Sequence, residues 1–493
     1  MTTRRRFARG LACIAVGAGS GLAAPFIGRA WAQGSGGAGT APNVTRGHYL
    51  IRGGAVITVD PALGTLPRGD VLVRDGAIVQ VAPSIDPPAG AEVIDATDTI
   101  VMPGMIDTHY HMWSALGRNF IADGGVEYFQ AKNASSPHYA PEDFYNSLRL
   151  GLAELLNNGV TTVHNWCNNT RSPAHADAEL RAHRDLLTRA RFAYGHRDQL
   201  AGDALIDFPD IDRVRKEWFG ESGPFGGLVH LGVNLRGIGQ STAETFFRES
   251  AMVKERGIPY ATHAGQAPPN RIDILDWEKR GILQPGFMLA HYINGASPDF
   301  EVLARNGVPN SFSTLSEFRL GNAGDPRAAL MAQRKAGVLL SLSVDASSLG
   351  SPSLFEAMRT TWSMGIPWKG TPSEGERPIG HAEIIRWTTL NAAKTLGLGD
   401  VTGSLTPGKR ADLILVRVDA LNTAPMANVE TTIVQSATAA NVDTVLVDGR
   451  ILKRGGRLTA VDTAEIVAKA RESAFRIRQT TGGVLAPCAG CSA

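Results

Sequence analysis

The chain has 493 residues, of which 43% are hydrophobic and 19% charged, the make-up of a soluble globular protein with room for one large core and an accessory one. Its 49 basic and 47 acidic residues give a net charge of +2, and setting aside the five arginines of residues 1–32 (Arg4, Arg5, Arg6, Arg9 and Arg29, with no acid among them) turns this to −3. A near-neutral body gives no electrostatic basis for nucleic acid or an anionic membrane as partner.

The N-terminus opens with Thr3-Arg4-Arg5-Arg6-Phe7, continues through a moderately apolar, glycine-rich run from Gly10 to Ala24, and reaches Ala30-Trp31-Ala32, a small-x-small cleavage pattern. A paired arginine ahead of a weakly hydrophobic segment resembles a twin-arginine (Tat) export signal over residues 1–32, with an ordinary secretory signal or an uncleaved anchor as alternatives. That resemblance implies the Tat machinery as a partner, export of the folded protein to the periplasm or beyond, and no stable membrane insertion of the mature chain. The run is too short and too rich in glycine for a membrane span. A flexible Gly/Ser-rich linker follows, to about residue 48. Cys13 leaves with the signal, Cys167 is isolated, and Cys488 and Cys491 form a pair in a small-residue tail that could close a disulfide in an oxidising compartment.

Residues 49–51, 55–59, 70–73 and 77–79 are β-rich runs punctuated by Gly and Pro, and a matching group lies at 411–416 and 442–449. They make either two unrelated small sheets or one β-sandwich built from both ends of the chain, over 49–102 and 402–461; periodicity does not decide. Between them, residues 103–401 are more regular. Short apolar runs recur at 106–111, 160–164, 191–195, 228–235, 258–263, 286–291, 307–311 and 338–345, with helix signals between many of them. Pro141-Glu142-Asp143 opens a helix with Phe144, Leu148, Leu152 and Leu155 on one face and Gly159 as its stop; Asp325-Pro326 opens another that Gly337 ends; Phe355, Met358 and Trp362 form a third apolar stripe. Eight strands alternating with helices predict a (β/α)8 barrel, a doubly wound open sheet being the alternative. Residues 462–493 are left as a C-terminal helix and tail.

Polar residues fall at the ends of these runs. His109 and His111 are two apart at the end of strand one and share a face. His263 ends strand five, His291 strand six and Asp345 strand eight. A lone strand histidine is ordinarily a hydrogen-bonded core residue, but five such residues at C-terminal strand ends, where barrel enzymes build their sites, point to a metal centre. Imidazoles plus a carboxylate suit one divalent ion, with Zn favoured over Fe.

The phrase Val101-Met102-Pro103-Gly104-Met105-Ile106-Asp107-Thr108-His109-Tyr110-His111 matches the pattern PGxIDxHxH, and Gly403-Ser404-Leu405-Thr406-Pro407-Gly408-Lys409-Arg410-Ala411-Asp412-Leu413 matches GSLxPGKxADLxL. On these segments, and over about residues 49–460, the chain closely resembles the amidohydrolase superfamily, and within it the cytosine deaminase and triazine hydrolase branch. The resemblance implies a distorted (β/α)8 TIM barrel with a composite β-sandwich, and a single metal, since strand four offers no lysine or glutamate to bridge two. It also implies that His109, His111, His263 and Asp345 are ligands, that the metal acidifies a water, that Asp345 accepts that water's proton, and that His291 polarises the substrate. Homo-oligomers are common among such proteins.

Three departures bear on the substrate. Where deaminases of this branch carry a glutamate three residues after the strand-five histidine, this chain has Gln266, which can orient a substrate but cannot relay a proton. Leu235-Arg236-Gly237-Ile238-Gly239 replaces the usual PHxPYT after strand four, and Ser311-Phe312-Ser313-Thr314-Leu315-Ser316 replaces HCPxSN near strand seven. The expectation is a hydrolase of a small-molecule, non-peptide C–N bond (amide, carbamate, urea or cyclic amide) in which either Asp345 performs all proton transfer or the leaving group departs without strong acid help. A deaminase or dehalogenase of a heterocycle is the alternative, and a degenerate fold serving as a binding protein a third. Trp113, His164 and Arg236 are candidate substrate contacts; the competing readings are a core aromatic, a buried structural histidine and a loop-bracing arginine.

Overall fold

The computed structural model describes residues 44–120, 127–265, 271–320, 324–366 and 377–485. The signal, most of the linker, Gln266, Cys488 and Cys491 lie outside these residues. Five strands open the fold: β1 (Tyr49–Ile57), β2 (Thr65–Arg74), β3 (Ala77–Ala82), β4 (Glu92–Asp95) and β5 (Thr99–Pro103). Eight follow in the middle of the chain, β6 (Met105–Tyr110), β7 (Val160–Cys167), β8 (Arg189–Tyr194), β9 (Val229–Leu235), β10 (Tyr260–His263), β11 (Phe287–Ala290), β12 (Asn310–Phe312) and β13 (Leu340–Leu342). Four close it, β14 (Leu413–Arg417), β15 (Val442–Val447), β16 (Arg450–Arg454) and β17 (Arg457–Leu458).

The first and last groups form one nine-stranded mixed sheet, ordered β17-β16-β15-β14-β5-β1-β2-β3 with β4 also on β1. The two ends meet where β5 pairs antiparallel with β14, Val101 opposite Leu415. A hydrophobic core distinct from that of the barrel gathers Val56, Val71 and Val101 from one end with Leu413, Leu415 and Leu446 from the other. The runs at 49–51 and 55–59, separate in the sequence reading, are one strand: β1 stays paired with β2 through register shifts on either side of Gly54. Gly there marks a bulge rather than a break.

The eight middle strands run parallel in sequential order from β6 to β13, each matching one of the apolar runs. The seam between last and first is bridged where the Asp345 amide donates to the His109 carbonyl (2.9 Å) and the His111 amide to that of Asp345 (2.8 Å). Hydroxyls fill part of the interior: Thr108 Oγ1 lies 2.7 Å from Ser311 Oγ and 3.0 Å from Ser341 Oγ, so these buried hydroxyls of strands one, seven and eight satisfy one another.

The helices follow their sequence signals. Pro141–Asn157 starts on a proline, whose missing N–H costs nothing at that position, and the Asp143 side chain accepts the Ala140 amide at 2.7 Å. It buries Phe144, Leu148, Leu152 and Leu155 and is followed by Gly159 at φ +83°. Pro326–Ala336 is capped by Asp325 and terminated by Gly337 in the left-handed region. The stripe of Phe355, Met358 and Trp362 lies on Leu354–Met364, its first two residues buried and Trp362 partly so. The C-terminal helix Thr463–Thr480 packs on Pro141–Asn157, with Arg476 on Asp143 and Arg149 donating to Glu465 at 2.9 Å. No helix among the described residues is long and apolar enough to cross a membrane.

Candidate metal centre

The C-terminal ends of β6, β10, β11 and β13 converge at one end of the barrel. The seam bonds set the first part of the arrangement: they hold the Asp345 backbone between those of His109 and His111, opposite Tyr110. His291 and Asp345 both adopt left-handed backbone (φ +64° and +65°), a conformation costly for residues with a Cβ.

His109 Nε2 lies 3.2 Å from Asp345 Oδ1, His111 Nε2 lies 3.3 Å from the same oxygen, and His111 Nε2 lies 3.2 Å from His263 Nε2. Ligands of a tetrahedral zinc, about 2.0–2.1 Å from the ion, stand about 3.3 Å from one another. The spacing of these donor atoms therefore fits a divalent ion.

Electrostatics separate the histidines. Burial pushes His109, His111 and His263 below the ordinary imidazole range, leaving neutral rings with a free lone pair. Burial alone would raise the Asp345 carboxyl, but His291, His109 and His111 around it hold it well below the usual range. His291 behaves oppositely: burial works against its charged form, but the Glu317 and Asp345 carboxylates outweigh this and hold it up to about 9. A bound dication would pull that value back down.

The tautomer of His111 is fixed from behind. Its Nδ1 lies 2.7 Å from Asn168 Oδ1, and the indole Nε1 of Trp113, a donor only, lies 2.7 Å from the same atom. The Asn168 amide nitrogen donates to Asp198 Oδ1 at 3.1 Å. Both ends of the amide are thus assigned, His111 carries its hydrogen on Nδ1, and Nε2 presents a lone pair to the centre. Asp198 in turn holds Lys132 at 2.8 Å. Trp166, fully buried, packs its ring 4.4 Å from that of His109 and 4.3 Å from that of His263, excluding water from their flank.

Above the centre lies a cavity of about 300 Å³. His111, His263, His291 and Asp345 open onto it, and Tyr128, Phe129 and Lys132 from the helix Tyr128–Ser135 border it. The three residues expected from sequence to contact substrate are not among its lining. Trp113 is buried against Tyr139 and Phe144, at ring separations of 5.1 and 6.0 Å, because its indole N–H is needed by Asn168. His164 is buried with Nε2 on Asn234 Oδ1 at 3.1 Å. Arg236, 1% exposed, donates to the carbonyls of Ala201 (2.8 Å) and Ala204 and to Glu249 (3.1 Å), so its guanidinium is spent bracing a loop. Sequence reasoning missed Asn168, Lys132, Asp198 and Glu317. Of these only Asn168, one residue beyond β7, and Glu317, just past the altered strand-seven segment, stood where a signal was readable.

The chain belongs to the amidohydrolase family: residues 100–452 match the family described as "Amidohydrolase family". It is 28% identical over 402 residues to the 5-methylthioadenosine/S-adenosylhomocysteine deaminase of Symbiobacterium thermophilum, covering 79% of this chain and 89% of that protein. It is 25% identical over 404 residues to the protein of the same name from Acetivibrio thermocellus, covering 78% and 88%. Among solved structures it is similar to an adenosine deaminase from Xanthomonas campestris with bound zinc (TM-score 0.77, 22% identity, 88% of this chain and 99% of that one). A zinc complex of atrazine chlorohydrolase from Arthrobacter aurescens is similar as well (TM-score 0.74, 21% identity, 86% and 100%). Family and site together define a hydrolase acting on C–N bonds.

Proposed function

We propose that the chain is a mononuclear metallohydrolase that cleaves a non-peptide C–N bond of a small molecule, with zinc favoured over iron and His109, His111, His263 and Asp345 as its ligands. The observation that carries this reading is the 3.2–3.3 Å spacing of three lone-pair donors and a carboxylate oxygen. When bound, the ion supplies Lewis acidity that brings the pKa of water into the neutral range. The protein's own groups divide the remaining work. Oδ1 of Asp345 faces the imidazoles of His109 and His111, while Oδ2 lies 3.8 Å from His291 Nε2 and would take a proton from the attacking water. His291 donates toward the oxygen or nitrogen on which charge develops.

Position 266 narrows the substrate class. A carboxamide supplies no proton to a poor amine leaving group, which favours activated amides, carbamates, ureas and cyclic amides. A second reading, deamination or dehalogenation of a heterocycle, is supported by the named activities of the relatives and by Tyr128 and Phe129 beside the cavity, flat groups suited to a ring. The binding-protein reading is disfavoured by the intact donor set.

Metal analysis and a substrate screen test the proposal. Purified protein should carry about one equivalent of zinc or iron, lose it on His263→Ala, and turn over amides, carbamates, ureas or aminated heterocycles only when loaded. Protein that binds no divalent ion, or whose turnover survives complete chelation, would end the reading. We also propose Tat export to the periplasm: replacing Arg4 and Arg5 by lysine should leave uncleaved precursor in the cytoplasm, and unchanged fractionation would count against it.

A further inference from the structure

We propose that Glu317 is the positioning residue for His291, gripping Nδ1 of the ring and so turning Nε2 toward the reacting centre. The proposal rests on the reading of His291 as the substrate-polarising group.

The strand alone does not fix this ring. His291 lies one residue beyond β11 with left-handed backbone, so the pleat of the sheet no longer dictates where its side chain goes. Its amide is held by the Ser311 carbonyl at 3.1 Å, but ring rotation needs a separate tether. Glu317 Oε1, 3.0 Å from Nδ1, supplies one. That oxygen is itself fixed by the Ser313 amide at 3.3 Å, one turn earlier in the chain. The helix that carries it, Thr314–Leu320, is tied to Leu354–Met364 by a hydroxyl contact between Thr314 and Thr361. An ionised carboxylate only accepts, so the hydrogen sits on Nδ1 whatever Nε2 carries, and Nε2 is left facing the cavity.

Glu317 has no exposed side-chain surface, yet its Oε2 has no hydrogen-bond partner among the described residues. A half-satisfied buried carboxylate is costly. Glu317 directly follows Ser311–Ser316, the segment that departs from the branch pattern. Nor does Glu317 serve as a ligand, since it approaches Nδ1 while Nε2 is the ring atom that faces Asp345.

The test uses full-length, zinc-loaded protein and compares Glu317→Leu, which has no acceptor, with Glu317→Gln, which keeps one. Zinc content should be unchanged in both. The downfield proton resonance of the His291 Nδ1–H, assigned by its loss in His291→Asn, should vanish in Glu317→Leu and persist in Glu317→Gln. On a substrate that is turned over, Glu317→Leu should lower kcat about 10- to 100-fold, as loss of a histidine-orienting partner does at metal sites, with KM little changed and Glu317→Gln restoring most of the rate. In a His291→Ala background Glu317→Leu should cost nothing more. Loss of zinc, an unchanged rate, or additive effects of the two substitutions would overturn the proposal. If Glu317→Leu does not fold, Glu317→Asp, one methylene short, takes its place: it should lose both resonance and rate while Glu317→Gln keeps them, and the reverse order overturns the proposal. Wild-type protein that turns over no substrate counts against the metallohydrolase reading alone, because the resonance comparison still decides the role of Glu317.

Discussion

Replacing Asn168 by leucine removes the acceptor that His111 Nδ1 and Trp113 Nε1 share, while keeping close to the side-chain volume. The structure sets the size of the effect. Two buried donors lose their partner, and each unsatisfied group costs about 1–3 kcal/mol, so the thermal midpoint of the metal-free protein falls. His111 is then free to carry its hydrogen on Nε2, the atom turned to the centre, and on the proposed reading zinc affinity should drop about 10- to 100-fold, or about 1.4–2.7 kcal/mol. Trp113→Phe removes one of the two contacts that fix the amide, leaves the packing on Tyr139 and Phe144, and should weaken zinc less than Asn168→Leu does. Competition with a chromophoric chelator reads the affinities, and thermal melts of the same samples report folding. A folded Asn168→Leu protein that binds zinc as tightly as wild type would refute the tautomer argument.

Three further outcomes are expected. Arg236→Met strands the Glu249 carboxylate in the interior and should destabilise the fold by about 3–5 kcal/mol, read by denaturant unfolding; unchanged stability with a raised KM would instead make Arg236 a substrate contact. Burial opposes ionisation of Asp448, but Arg46, Arg450 and Arg410 outweigh it and depress its folded pKa, so its contribution is present above the unfolded value of about 3.9 and is lost as pH falls below it; the stability gap between wild type and Asp448→Asn should shrink across that window, and parallel pH curves would refute the assignment. Gln266→Glu should raise turnover of aminated heterocycles, and abolition of all activity with zinc retained would show that position 266 is no vacant proton-shuttle site.

Much of the fold was legible because barrel strands announce themselves locally. The runs ending at His109–His111, His263, His291 and Asp345 are apolar, short and bounded by turn residues, and their chemistry sits at one consistent end. Side-chain destinations were not legible in the same way. Trp113 follows the HxH pair closely enough to suggest a substrate wall, yet its indole N–H is claimed by Asn168, 55 residues away. Arg236 looked available after strand four, but carbonyls from the loop after β8 and a glutamate on the next helix surround it. Glu317 acts on a histidine 26 residues earlier, a pairing that no local pattern encodes. Gly53 and Gly54 misled in the opposite direction, since a bulge keeps the chain paired where composition suggests a stop.

The pairing of β5 with β14 also has a consequence for biogenesis. The junction lies near the middle of the nine-stranded sheet, not at its rim, and beside β15 the Asp448 carboxylate takes guanidinium groups from Arg46 at the start of the described residues and from Arg410 and Arg450 near their end. A growing polypeptide therefore holds an open β5 edge until almost all of it has been synthesised, and an open edge invites pairing with other chains. Only a chain that has reached β14 can seal it.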